Sequence, residues 1–391
     1  MKKVVIIVLI STFIIGCQQE EIPVNGFLRI YDHSNLDIEF TPVSMAETST
    51  GGLMILSEQT VENSEFSTGN IIVTDDEGSI LSQATLTDGL GVPIGDLMKF
   101  ADAYYFFTLD INTYECLLIS VDENGAVASP ISIPSLSFPL AASKVGDQML
   151  LLSYDAQNQN SILSLINLDG SLANLAAYSI GAGTDAQQRI LDHYFEKDKR
   201  LPFFTGQHSS GAYYFNGIYN YTLSLVFSDM SANPQGIIQG QAFSGGVSAI
   251  EPGGSALVGF QYQDIFWELQ PAINTSSVTS SISYFNNRQH EIKSKSPSKI
   301  LNYTNAGTSY ILIAAETEKR QAVLYFIDAS SGIVEHVEYI GYANPFTFSD
   351  LIVSENNDLF VTGSTFVNSQ FERAFVKKFT SDEINEKLSL L

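Results

Sequence analysis

From about residue 40 onward the chain alternates short apolar runs with polar breaks, and the runs are rich in β-branched and aromatic residues. Leu53-Met-Ile-Leu, Tyr104-Tyr-Phe-Phe-Thr, Met149-Leu-Leu-Leu, Ala256-Leu-Val-Gly-Phe, Tyr310-Ile-Leu-Ile-Ala and Leu359-Phe-Val-Thr-Gly are apolar throughout. Runs of this kind predict strands covered on both faces. A partner run follows most of them, as in Asn70-Ile-Ile-Val-Thr, Cys116-Leu-Leu-Ile-Ser, Ile162-Leu-Ser-Leu-Ile and Leu223-Ser-Leu-Val-Phe. Turn signals separate that partner from a further strand: Asp75-Asp-Glu-Gly78, Asp122-Glu-Asn-Gly125, Asp169-Gly170, Asn233-Pro-Gln-Gly236 and Asp328-Ala-Ser-Ser-Gly332. Asp, Asn and Gly accept the positive φ that tight hairpins demand. Helical periodicity is confined to Asp185–Lys197 and the last few residues.

The closing glycines are 47, 45, 66 and 96 residues apart, and the last interval is close to two repeats. Units fall at roughly 41–88, 92–134, 137–180, 188–243, 246–286, 297–341 and 346–384, the fifth being degenerate, with strands at Ala256–Phe260, Ile265–Leu269 and Ser280–Phe285. Four strands in each 40–50 residues is the construction of a β-propeller blade. The expectation is an all-β fold, a β-propeller of seven four-stranded blades filling residues 26–391 as one domain. The last unit has only three clear strands, and Gly26-Phe-Leu-Arg-Ile-Tyr31 stands alone before the first. That strand is expected to pair with Arg373–Phe379 and close the ring, since an open ring leaves two bare sheet edges.

At the N-terminus, Lys2 and Lys3 precede an apolar run from Val4 to Ile15, too short for a permanent span. The run ends at Ile14-Ile15-Gly16-Cys17, which resembles the lipobox of bacterial lipoproteins; Ile15 departs from the usual small residue. The resemblance implies removal of residues 1–16, acylation of Cys17, and a lipidated tether over 17–25. Gln18, in place of the Asp that retains lipoproteins at an inner membrane, implies outer-membrane sorting. Cys17-Gln-Gln-Glu-Glu is similar to the acidic export tag of Bacteroidota lipoproteins, which implies a position facing the cell exterior.

Lys and Arg number 19 against 43 Asp and Glu, a net charge of −24, and this excludes nucleic acid as the expected partner. Two cysteines cannot staple a scaffold, and Cys116 in its apolar strand reads as a buried, inert thiol. His33, His193, His208, His290 and His336 are scattered singly, and an adjacent carboxylate, as in Asp192-His193, is not by itself a site. No zinc or calcium spacing, phosphate loop or nucleophile elbow occurs, so no metal, cofactor or enzymatic activity is expected.

Unit four is longer than its neighbours. Tyr104 to Gly125 and Met149 to Gly170 each span 21 residues, whereas Leu201 to Gly236 spans 35. The excess is read as a loop over 207–220 whose His208, Tyr213, Tyr214, Phe215 and Tyr219 form a partner-binding surface beside the basic Lys197, Lys199 and Arg200. These features together point to a lipid-anchored, non-enzymatic interaction subunit of an outer-membrane assembly serving uptake, secretion or barrel biogenesis, its partner possessing a membrane β-barrel. The alternative is a cell-surface glycan-binding or glycan-degrading protein. Its single tryptophan, Trp267, counts against the alternative, because sugar sites favour broad aromatic platforms.

Overall fold

Turn chemistry sets the repeat. Asp75 Oδ1 accepts the Glu77 and Ser79 amides at 3.0 and 2.7 Å, and Asp122 Oδ1 accepts those of Asn124 and Ala126 at 2.9 and 2.8 Å. Asp328 takes the Ser330 and Ser331 amides in the same way. Gly78, Gly125, Gly170 and Gly332 close these turns with φ between +71 and +85°. Each carboxylate holds backbone groups that a hairpin would otherwise leave to water.

The computed structural model describes residues 26–389 apart from 33–36, 62–65, 88, 197–198, 295, 342–343 and 368–370. The leader, Cys17, His33 and Lys197 therefore lie outside the described residues. The protein is all-β, built from successive antiparallel four-stranded units as a β-propeller is. Unit one comprises Ile38–Glu47, Leu53–Val61, Thr68–Thr74 and Ile80–Thr85; unit two comprises Leu90–Phe100, Ala103–Asp110, Glu115–Asp122 and Ile131–Ser137. One pairing, Thr68 with Gly91, merges these two into an eight-stranded sheet. Unit three is Pro139–Val145 to Leu172–Ser179, and unit six is Lys299–Asn305 to Val334–Ile340.

Burial grades outward along each unit. Second and third strands such as Met149–Leu152 are fully buried, whereas outer strands such as Ile80–Thr85 and Leu172–Ser179 are largely exposed. The apolar cores thus lie between neighbouring sheets, which explains why inner runs carry almost no polar residues.

Unit four corrects the reading of its length. Its first strand is Phe204–Gln207 and its second is Tyr213–Tyr219, so the segment expected to be a loop is an interior strand paired on both edges. Counted from Tyr213, Gly236 is 23 residues away, close to the ordinary spacing. The extra chain precedes the unit instead, as helix α1 (Thr184–Phe195), whose Ala186, Ile190 and Tyr194 pack into the core. Asp192 and His193 therefore ride on a helix, not on an inner strand.

Unit five departs in another way. Its fourth strand is Asn287–Gln289, while Ser281–Tyr284 is a 3₁₀ turn and Val278–Ser280 pairs in parallel with the outer strand of unit four, Gly236–Gln239. Gly236 serves this crossing and not a turn: a Cβ there would lie 2.6 Å from the Thr275 backbone.

The last sheet joins the two ends of the chain. Phe27–Tyr31 pairs antiparallel with the strand Phe371–Phe379, from Phe27 opposite Lys378 to Tyr31 opposite Ala374. Arg373, fully buried, ion-pairs with Asp32 and donates to the Ile38 carbonyl at 2.7 Å. Tyr31 and Arg29 donate onward to the Gly78 and Glu77 carbonyls of unit one. Helix α2 (Ser381–Ser389) follows at once and buries Ile384.

Candidate functional site

The first strands of successive units stand side by side and border one central cavity of about 810 Å³. Every unit contributes, from Pro42 and Asp96 through Ser143, Thr205 and Ser248 to Lys299 and Asp350. A cavity of this size with convergent polar groups is the default place for recognition.

Short polar side chains tie the first strands to one another around this cavity. Ser44 donates to Asp350 at 3.1 Å and accepts the Leu97 amide at 3.0 Å. Thr205 donates to Ser143 at 3.0 Å, and Ser298 to Ser248 at 3.2 Å. Lys299 donates to Asp350 at 2.5 Å, and the Met45 amide reaches the other Asp350 oxygen at 3.0 Å. Each bond crosses between units, so the belt fixes the cavity wall as the sheets alone do not.

Two ionic groups interrupt the belt. In one, Arg200 grips Glu58 with two contacts of 2.8 Å; Glu58 is buried and Arg200 about one-third exposed. Burial works against the guanidinium charge, and Glu58 more than offsets it, holding Arg200 above its ordinary value. His193 lies beside this pair and accepts the Leu201 amide on Nδ1 at 3.0 Å. Burial, reinforced by the Arg200 charge, pushes its pKa down to about 3, so the imidazole is neutral.

In the other group, Lys299 faces two carboxylates, Asp350 and Asp96. Burial opposes the ammonium charge, but both carboxylates together raise it. Asp96, on the first strand of unit two, is exposed and lines the cavity. Burial raises its pKa; Lys299 works against this rise and Asp350 adds to it.

Of the residues expected at a partner surface, Phe215 is fully buried and stacks near Tyr178 at 5.5 Å. It is a core residue, unavailable to a partner, because this inner strand is covered on both faces by neighbouring sheets and all its interior residues are buried. Tyr214 is 3% exposed and lines the cavity, where its hydroxyl lies over Gly206 so closely that a Cβ there would come within 2.3 Å. Tyr213 and Tyr219 are half-buried on the same strand. His208 belongs to the adjoining turn, bonded to Ser210 at 3.0 Å, and burial lowers its pKa. Lys199 ion-pairs with Glu196 at 2.7 Å and Arg200 with Glu58, so these two cations are already matched. Cys116 is buried, and burial raises its thiol well above the ordinary value.

Sequence reading missed Asp96, Lys299 and Asp350. The available signal was positional: each sits on a first strand, where Ser or Thr is usual at the neighbouring belt positions. Among the described residues no helix is long and apolar enough to cross a membrane.

No family model and no curated protein matches the chain. The chain is similar to solved β-propeller structures. The β-propeller domain of the Trilobed protease from Pyrococcus furiosus aligns at 7% identity and a TM-score of 0.48, covering 93% of this chain and 98% of that one. Drosophila Semaphorin 2a aligns at 8% identity and a TM-score of 0.48, covering 90% and 75%. A Bacteroides caccae protein of unknown function aligns at 10% identity and a TM-score of 0.35, covering 83% and 82%.

Proposed function

We propose that this protein is a closed seven-bladed β-propeller, anchored by a lipid on Cys17 to the outer membrane, that serves as a non-enzymatic interaction subunit facing the cell exterior. The commitment of the cavity's charges to one another carries this reading: Arg200 to Glu58, Lys299 to Asp350, and a neutral His193 locked by a backbone amide. Groups held so firmly suit a rigid recognition surface, not a site that must move protons. The ring reading is supported by first strands from seven units bordering one cavity and by the pairing of Phe27–Tyr31 with the final strand. The partner is an outer-membrane protein with a β-barrel.

The test is co-purification of the tagged full chain from native membranes. A stoichiometric integral-membrane partner is expected, with Cys17→Ala losing both processing and membrane retention. Recovery of the protein alone, at full yield and in folded form, overturns the interaction reading; a Cys17→Ala protein that stays membrane-bound overturns the anchor.

A second reading has one observation in its favour. Asp96 and Asp350 share the cavity with different environments, one raised by burial and one ion-paired, as acid and base carboxylates of glycan-cleaving sites are. Retention on a polysaccharide column with release of new reducing ends would establish it.

A further inference from the structure

Between helix α1 and the first strand of unit four, residues 199–203 cross one end of the central cavity. Unit four is not a neighbour of unit one, yet Arg200 holds Glu58 on the second strand of unit one with two contacts of 2.8 Å. Glu372, on the third strand of the last sheet, adds its attraction to the same guanidinium. Leu201 and Phe203 pack against the core of units two to four and also against that of units four to six. The segment is fixed from behind as well. The Leu201 amide donates to His193 Nδ1 at 3.0 Å, the His193 and Phe203 rings meet edge-on at 4.7 Å, and Asn216 donates to the Pro202 carbonyl at 2.7 Å. A segment tied to both sides of an opening covers it. The first strands record which end is covered. Along units two, three and four, Pro93, Leu140 and Thr205 near the strand starts are buried. Asp96, Lys144 and Gln207, further along the same strands, are exposed, although all six line the cavity.

We infer that the central cavity is a blind pocket, capped by residues 199–203 and entered only at the opposite face, where the turns between first and second strands lie. Gly146 and Pro252, in two of those turns, line the open mouth and are exposed. The cap is a lasting one. Its guanidinium is paired and its backbone is bonded, so lifting it breaks the Glu58 contact and bares Leu201 and Phe203 together, which is a local unfolding and not a hinge motion. A ligand, or a segment of a partner, therefore reaches the walls from the turn face alone. The inference concerns the route of entry and holds with or without the partner proposed above.

Cysteine labelling of the full chain tests it. Ser349 lines the cavity just before the first strand of the last sheet and is half-buried, so Ser349→Cys places a thiol beneath the cap with little change in shape. Wild-type protein sets the background, and Cys116, buried in the core, reports unfolding if it reacts. Methyl methanethiosulfonate, small and uncharged, should label Ser349→Cys. Adding Lys144→Trp and Gln207→Trp, which crowd the open mouth, should slow the reaction about tenfold or more, because the reagent then waits for the cap to open. Adding Arg200→Ala to that obstructed protein should restore the rate with Cys116 still unreacted. A second measurement needs no crowded variant: a maleimide on a rigid gold cluster, too wide for the cavity, should modify Gln207→Cys and spare Ser349→Cys. Failure of the small reagent to label Ser349→Cys, an unchanged rate in the obstructed protein, a rate indifferent to Arg200→Ala, or labelling of Ser349→Cys by the cluster overturns the blind pocket.

Discussion

The two ionic groups of the cavity differ in one respect that governs the rest. Glu58 and Arg200 meet in two direct contacts of 2.8 Å, with Glu372 adding to the hold on the guanidinium and a neutral His193 beside them. Asp96, Asp350 and Lys299 are two against one. A matched buried pair contributes rigidity and little net stability, since desolvation takes back much of the attraction. The same wall therefore holds one pair in full ionic contact and one group with a carboxylate, Asp96, left exposed to the cavity.

Breaking the unmatched group further should have the largest effect. Lys299→Met leaves Asp350 and Asp96 without a counter-charge, and denaturant melts should show a loss of about 4 kcal/mol. Arg200→Met strands Glu58 alone, but Arg200 is one-third exposed and water screens part of the cost, so about 2–3 kcal/mol is expected. Adding Glu58→Met should restore most of it; a double variant as unstable as the single one would mean the pair is not the source.

Acid sharpens the contrast further. His193 has a folded pKa lowered to about 3, so the unfolded chain binds a proton that the folded one refuses between that value and the ordinary imidazole range. Stability falls as pH drops through this window, by about 3 kcal/mol from pH 7 to 4, and His193→Gln should flatten that slope in a thermal-melt series. Asp96 has the opposite sign. Its folded pKa is raised, so its penalty grows as pH rises from the ordinary carboxylate range through the raised value. Asp96→Asn should therefore stabilise slightly near pH 8, the effect being screened because Asp96 is exposed, and the gain should vanish in acid. Destabilisation at pH 8 would show that the carboxylate holds a partner within the fold.

Most of the strand order was legible because burial on both faces writes itself as unbroken apolar runs, as in Met149–Leu152. Phe27–Tyr31 was legible because a strand with no local partner needs a distant one. Tyr213–Tyr219 was not, since the excess length of unit four was assigned to it and not to the helix that precedes the unit. Gly217 is there for space: a Cβ would come within 2.8 Å of the Phe215 ring. The cavity group was hidden for a different reason. Asp96, Lys299 and Asp350 belong to three units far apart in sequence, and only the side-by-side placement of first strands brings them together.

The pairing of Phe27 with Lys378 has a consequence for how the chain comes into being. The earliest folded segment to be synthesised waits for nearly the last, so the final sheet cannot be completed while the ribosome or a translocation channel still holds the C-terminus. Until then Phe27–Tyr31 is an orphan strand whose Tyr31, buried in the folded protein, is still bare, and the rest of the chain can assemble unit by unit without it. That pairing joins residues across almost the whole length, which makes it the slowest contact of the sheet to find.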